Sequence, residues 1–194
     1  MRIIKFALSN VIKYRKSDHT RLILEQPNLK MAHIYCLTNN VPGPLSGQLL
    51  EKYIAQKYHF KKHTKSLAGD IYCDNSDTYY EIKISLGGKY GNKFQYCQLR
   101  PHHNCDYLLT AYHLQQSNLS KEGELFVFKM DKTIMNRLIA KYGNYSRGSK
   151  KLHGPITEES LNDPDNINEY SLRIRYDSEP WKQLLDHRVD IFDT

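Results

Sequence analysis

The chain has 194 residues, with 28 lysines and arginines against 21 aspartates and glutamates and a formal charge of +7. That length predicts one domain with a core of its own, and the charge favours a polyanionic partner, nucleic acid first, with an ordinary basic domain as the competing reading. The four cysteines (Cys36, Cys73, Cys97, Cys105) form no C-x-x-C pair, which speaks against a zinc ribbon or disulfide scaffold and for reduced, intracellular thiols. No apolar run approaches about eighteen residues and Met1–Asn10 lacks a cleavage site, so neither a membrane span nor a secretion signal is expected.

In chain order, Val11–Tyr14, Arg21–Leu24 and Ala32–Leu37 read as short strands of a peripheral segment over residues 1–43. Asn39-Asn-Val-Pro-Gly-Pro44 is a breaker, after which a core over 44–142 is expected. Leu45 to Tyr58 predicts a helix, because Leu45, Leu49, Leu50, Tyr53, Ile54 and Tyr58 recur at helical spacing. Glu51 shares a stripe with Gly47, Ile54, Ala55 and Tyr58. Its carboxylate has two readings: a surface partner of Lys52 or Lys57, or a functional group. Phe60–Lys65 is a basic loop or a further strand.

The stretch Ala68 to Ser85 holds the strongest signal. Ile71-Tyr-Cys73 and Thr78–Ile84 are rich in β-branched and aromatic residues around the turn cluster Asp74-Asn-Ser-Asp77, which predicts a hairpin. Pairing Cys73 with Thr78 sets Asp70 against Glu81. Alternation then puts Ile71, Cys73, Tyr80, Ile82 and Ile84 on a core face, and Asp70, Tyr72, Tyr79, Glu81, Lys83 and Ser85 on the other. Like charges directly opposite on paired strands are destabilising, and a divalent cation between them reverses that sign; a merely wet face is the competing view.

Further along, Leu86–Gly91 is a glycine-containing basic turn in which Lys89 can lie along a phosphate backbone, and Asn92–Arg100 is expected to be a short helix with Phe94, Cys97 and Leu99 inward. Gln98 and Arg100 on that segment are of the types that read bases bidentately, and are equally ordinary surface residues. His102-His-Asn-Cys-Asp106 does not complete an HNH-type set, so its histidines are read as bonding phosphate or water. Tyr107–Leu114 and Glu124–Met130 predict two buried strands, completing a mixed sheet. Asp131 caps a helix that runs to Tyr142 and stops at Gly143, with Ile134, Met135, Leu138 and Ile139 as its apolar stripe.

From 143 to 194 the chain reads as a DNA-contacting and closing segment. Asn144–His153 has the composition of a loop laid on DNA, with Arg147, Lys150 and Lys151 countering phosphates; a solvated loop is the alternative. Thr157–Leu161 is a helical turn. Glu169–Arg175 is an alternating strand with Arg173 and Arg175 on one face, and Pro180–Leu185 is a short helix packing Trp181, Leu184 and Leu185 inward.

Asp70, a ten-residue gap and then Glu81-Ile82-Lys83 resembles the active-site signature of the PD-(D/E)xK, or restriction-endonuclease-like, nucleases, with Gly69 where the family often has proline. Gln98-Leu-Arg-Pro101, Asp106-Tyr-Leu-Leu109, Tyr142-Gly143, Arg147–Lys151, Gly154–Glu158 and Trp181–Leu185 extend the likeness to bacterial type II restriction endonucleases over about residues 45–187. The resemblance implies an α/β (α+β) core with a mixed central sheet flanked by helices. It implies Mg²⁺, with Mn²⁺ able to substitute, held by Asp70, Glu81, the Ile82 carbonyl and Glu51, with Lys83 completing the catalytic set. It also implies double-stranded DNA as substrate, a homodimer, a cognate methyltransferase in the same system and the bacterial cytoplasm. A repair or processing nuclease of the same superfamily, and a non-catalytic basic DNA-binding protein, are the alternatives.

Overall fold

A computed structural model describes residues 16–62, 68–87, 92–114, 123–146 and 154–190. Three helices come first: α1 (Lys16–Leu24), α2 (Leu29–Thr38) and α3 (Gly43–Lys57). The strands expected at Arg21–Leu24 and Ala32–Leu37 are therefore helical, while Val11–Tyr14 lies outside the described residues. The reason is local. Asn28 caps α2 by accepting from the Met31 N–H at 2.9 Å, and the apolar run that mimics a buried strand is a helix embedded in the core through Leu29, Ala32, His33 and Cys36. The Asn39–Pro44 breaker forms the α2–α3 junction, where Asn40 takes φ +49° and Pro44 sits in the first turn of α3.

The rest is α+β. A five-stranded mixed sheet is ordered β1-β2-β3-β5-β6, from β1 (Lys61–Lys62), β2 (Ile71–Cys73), β3 (Thr78–Ser85), β5 (Asp106–His113) and β6 (Glu124–Met130). All neighbours are antiparallel except β3 and β5, which run parallel. A parallel pair needs a crossover. Here it is β4 (Lys93–Leu99) and the turn after it, a strand where the sequence suggested a helix. Phe94 and Tyr96 are buried between the exposed Lys93, Gln95 and Cys97, so the period is two as far as Cys97, and Leu99 is buried beyond an irregularity at Gln98. That state is imposed from afar, by antiparallel pairing of Phe94 with Ile174 and Tyr96 with Leu172, with a register shift before Leu99 and φ +55° at Gln98.

β4 belongs to a second sheet, β4-β8-β7, with β7 (Gly143–Tyr145) and β8 (Tyr170–Arg175). The start of the presumed 144–153 loop is thus a strand, and Arg147, Lys150 and Lys151 lie outside the described residues. The capped helix appears as α4 (Lys132–Tyr142), followed by α5 (Glu158–Asn162) and α6 (Glu179–Leu185). Trp181 and Leu184 are buried on α6, but Leu185 is exposed.

Two cores flank the five-stranded sheet. On one face α1, α2 and α3 pack Ile23, Leu29, Leu49, Leu50 and Ile54 on Ile71, Tyr80, Ile82 and Leu108. On the other, the second sheet and α4 cover Tyr107, Leu109, Phe126 and Phe128. Trp181 is its hub, stacked on Phe94 at 4.8 Å and edge-on to Phe126 at 4.9 Å. β5 feeds both cores, as a central strand with a parallel neighbour does.

Candidate functional site

The hairpin has the register read from the sequence: Cys73 faces Thr78 and Ile71 faces Tyr80. Ile71, Tyr80 and Ile82 enter the helix-side core, which leaves Glu81, Lys83 and Ser85 on the opposite face. That face is not wet. Glu81 is 3 % exposed, and Ser85 Oγ accepts the Gln95 N–H of β4 at 3.1 Å, so the crossover roofs the strand.

Asp70 immediately precedes β2 and lies outside its ladder with β3, which ends at Ile71 and Tyr80. Its N–H donates to the Tyr80 carbonyl at 2.9 Å, and its Oδ2 accepts the Ile82 N–H at 2.9 Å, so the carboxylate takes an amide left without a backbone partner as the chain turns away. The turn is made by Gly69 at φ +78°. A Cβ there would lie 2.8 Å from the Tyr80 carbonyl carbon and oxygen, and proline, fixed near φ −65°, cannot take that conformation. Glycine at position 69 is therefore a geometric requirement of this chain, and it brings Asp70 within electrostatic range of Glu81.

Lys83 Nζ donates to Glu81 Oε1 at 2.6 Å, an ion pair with side chains only 16 % and 4 % exposed. Burial, and then the charge of Glu81, pushes the Asp70 carboxyl upward, against the Ile82 amide, Lys83 and Arg100. Glu51, on α3, lies within electrostatic range of the same groups. Burial first, and Asp70 next, push its carboxyl up to about 7, with Lys62 and Lys83 opposing. It also lines a cleft of about 690 Å³ with Gln48, Lys52, Lys62 and Ile71. Lys83 thus lies within electrostatic range of three carboxylates while pairing directly with Glu81, and burial holds Asp70 and Glu51 above the ordinary carboxylate range.

Glu81 Oε2 faces a different group. His103, 5 % exposed, brings Nδ1 to 3.6 Å from it, beyond hydrogen-bond reach, and that nitrogen has no hydrogen-bond partner among the described residues. Burial lowers the His103 pKa, with Glu81 pulling the other way. Cys105, buried against Gly69, has a thiol pushed up to about 12 by burial and then by Glu81 and Asp70. Ligand atoms of Glu81, His103 and Cys105 all lie within 4.8 Å of one another, the one such trio among the described residues. Asp70 and Glu51 are not part of it.

The sequence reading missed this trio. No spacing within the sequence ties the 102–106 run to Glu81: its partner is on β3 and arrives through the parallel pairing of Glu81 with Tyr107. Of the expected DNA contacts, Gln98 lines a polar groove of about 450 Å³ with Gln95, Tyr145, Ser171 and Arg173. Arg100 instead pairs with Glu169, its Nε donating to Oε1 at 2.8 Å. Lys89 lies outside the described residues. Among the described residues no helix is long and apolar enough to cross a membrane. No protein-family model, curated protein or solved structure matches the chain.

Proposed function

We propose that the chain is a magnesium-dependent nuclease with a restriction-endonuclease-like core, hydrolysing phosphodiester bonds of double-stranded DNA at a specific sequence. The observation that carries this reading is that Asp70, held by the Ile82 N–H, lies within electrostatic range of Glu81, with the Lys83 ammonium 2.6 Å from Glu81. The donor set fits a hard cation: buried carboxylate oxygens, with the Ile82 carbonyl on the same strand edge as the amide that holds Asp70. Asp70, Glu81 and the Ile82 carbonyl, joined by Glu51, would hold the ion, Mg²⁺ or in its place Mn²⁺, and a cation bound there lowers the pKa of an attacking water and stabilises the leaving 3′-oxygen.

The chain's own residues supply the rest. The Ile82 amide fixes the Asp70 carboxylate. Lys83 orients the attacking water and offsets charge building on the phosphate oxygens. Gln98 and Arg173 in the polar groove, Arg175 beside them on β8, and Lys89, Arg147, Lys150 and Lys151 are the candidates for phosphate and base contacts. A twofold dimer suits a palindromic target, and a methyltransferase protecting the same sequence in a bacterial cytoplasm completes such a system.

The test is incubation of the purified protein with supercoiled plasmid and Mg²⁺, followed by sequencing of the ends. Site-specific cleavage is expected, reduced by about a thousandfold or more in Asp70→Ala, Glu81→Ala and Lys83→Ala, with duplex binding retained. Full cleavage by all three variants contradicts the proposal. So does salt-dependent DNA binding with no Mg²⁺-dependent cleavage, which identifies a binding module instead.

A further inference from the structure

Three features of the molecule are not accounted for by the proposed hard-cation site: the cleft beside α3, the polar groove on the second sheet, and His103 and Cys105 beside Glu81. The trio carries an inference furthest. Its side chains are all buried, and they come from β3 and from the turn leading into β5. One oxygen, one nitrogen and one sulfur ligand form a set that suits a borderline-soft cation of tetrahedral preference and not Mg²⁺, which takes oxygen. Around a tetrahedral zinc, oxygen and nitrogen ligands stand about 3.3 Å apart. Glu81 Oε2 and His103 Nδ1 already stand 3.6 Å apart, too far for a hydrogen bond and close to that span. A buried ring nitrogen with no hydrogen-bond partner is costly, and coordination satisfies it.

We infer that Glu81, His103 and Cys105 form a site for Zn²⁺ or a cation of like softness, and that its occupancy restrains Glu81 and switches the proposed Mg²⁺-dependent cleavage off. Binding transfers the Cys105 thiol proton to solvent, and the thiolate and the Glu81 carboxylate then balance the two positive charges. His103 coordinates through the Nδ1 lone pair, which leaves a fourth position for water or substrate oxygen. The metal site stands on its own geometry; the switching rests on the nuclease reading, because Glu81 is the one residue common to both ligand sets.

Co²⁺ is the spectroscopic probe. Titrating the metal-free full chain under reducing conditions is expected to produce a thiolate-to-cobalt charge-transfer band saturating at one ion per chain and displaced by Zn²⁺. Cys105→Ala loses the band, while Cys73→Ala and Cys97→Ala keep it. His103→Gln, a second variant with a polar atom at similar reach, weakens Co²⁺ binding by about tenfold or more. In cleavage assays with Mg²⁺ in excess, one equivalent of Zn²⁺ lowers the wild-type rate by about tenfold or more, and Cys105→Ala abolishes that effect of zinc. A band that survives Cys105→Ala, or Mg²⁺-dependent cleavage by a wild type that gives no band, overturns the site. A band without cleavage under any condition supports the site and overturns the nuclease reading and the switch with it.

Discussion

Two buried histidines, one on each face of the five-stranded sheet, show how this interior treats polar groups. His33, on α2, is fully buried, and both ring nitrogens are engaged: Nδ1 lies 2.8 Å from the Leu29 carbonyl and Nε2 3.0 Å from Thr110 Oγ1. A carbonyl only accepts, so Nδ1 donates and Nε2 accepts the Thr110 hydroxyl, which fixes the neutral tautomer. Burial holds its pKa down to about 4, and it remains uncharged at neutral pH. His103 is buried almost as completely, yet its Nδ1 faces a carboxylate at 3.6 Å without a hydrogen bond. The first arrangement closes a core. The second leaves a coordinating atom without a hydrogen bond beside Glu81 and Cys105, and such deficits are where a functional site is sought.

The comparison breaks most visibly under substitution of the satisfied histidine. His33→Ala removes a packed ring and strands Thr110, and is expected to cost about 2–4 kcal/mol in denaturant unfolding, with cleavage per folded molecule unchanged. A loss under about 0.5 kcal/mol, typical of surface changes, shows that His33 is not part of the closed core.

Glu51 sharpens the other side, at smaller amplitude. Unfolded, its carboxyl ionises near 4.5; folded, near 7. The folded chain therefore keeps a proton that the unfolded chain has lost across that window. The stability this contributes is fully present below about 4.5 and is lost as the pH rises through about 7. Glu51→Gln removes the dependence. In metal-free buffer the variant should match the wild type at pH 4 and exceed it at pH 8, while gaining less from Mg²⁺. Thermal unfolding at the two pH values checks this, and a wild type that loses no stability against Glu51→Gln on going to pH 8 contradicts it.

How much of this the sequence discloses depends on where each contact comes from. The hairpin is legible because its register is local: turn residues 74–77 fix the pairing from Cys73–Thr78 to Ile71–Tyr80, and alternation fixes the faces of β3. The ladder ends before Asp70, which meets β3 through the Ile82 N–H instead of as a paired strand residue. The α4 helix is legible for the same reason, its Asp131 cap accepting the Ile134 N–H at 2.8 Å. β4 is not, because Phe94 and Cys97 share a helical spacing and only pairing with β8, far along the chain, makes the segment extended. α2 misleads in the opposite sense: its buried stripe, Leu29, Ala32, His33 and Cys36, has helical spacing, but the half-buried Ile34, Tyr35 and Leu37 between them fill in a continuous apolar run. Glu51 is visible as an odd carboxylate on a helix stripe. His103 and Cys105 are invisible as a set, because nothing near them in sequence points to Glu81, and the β3–β5 pairing that joins them is long-range.

The central claim is that Asp70 and Glu81 are placed together to hold a hard divalent cation. It is tested most directly by binding of Mn²⁺ as a stand-in for Mg²⁺, followed through loss of the free-ion paramagnetic resonance signal with Cys105→Ala as the background, so that the softer site does not contribute. The account predicts binding that weakens by about tenfold or more in both Asp70→Asn and Glu81→Gln. Binding that is absent from the parent, or unchanged in both variants, contradicts it.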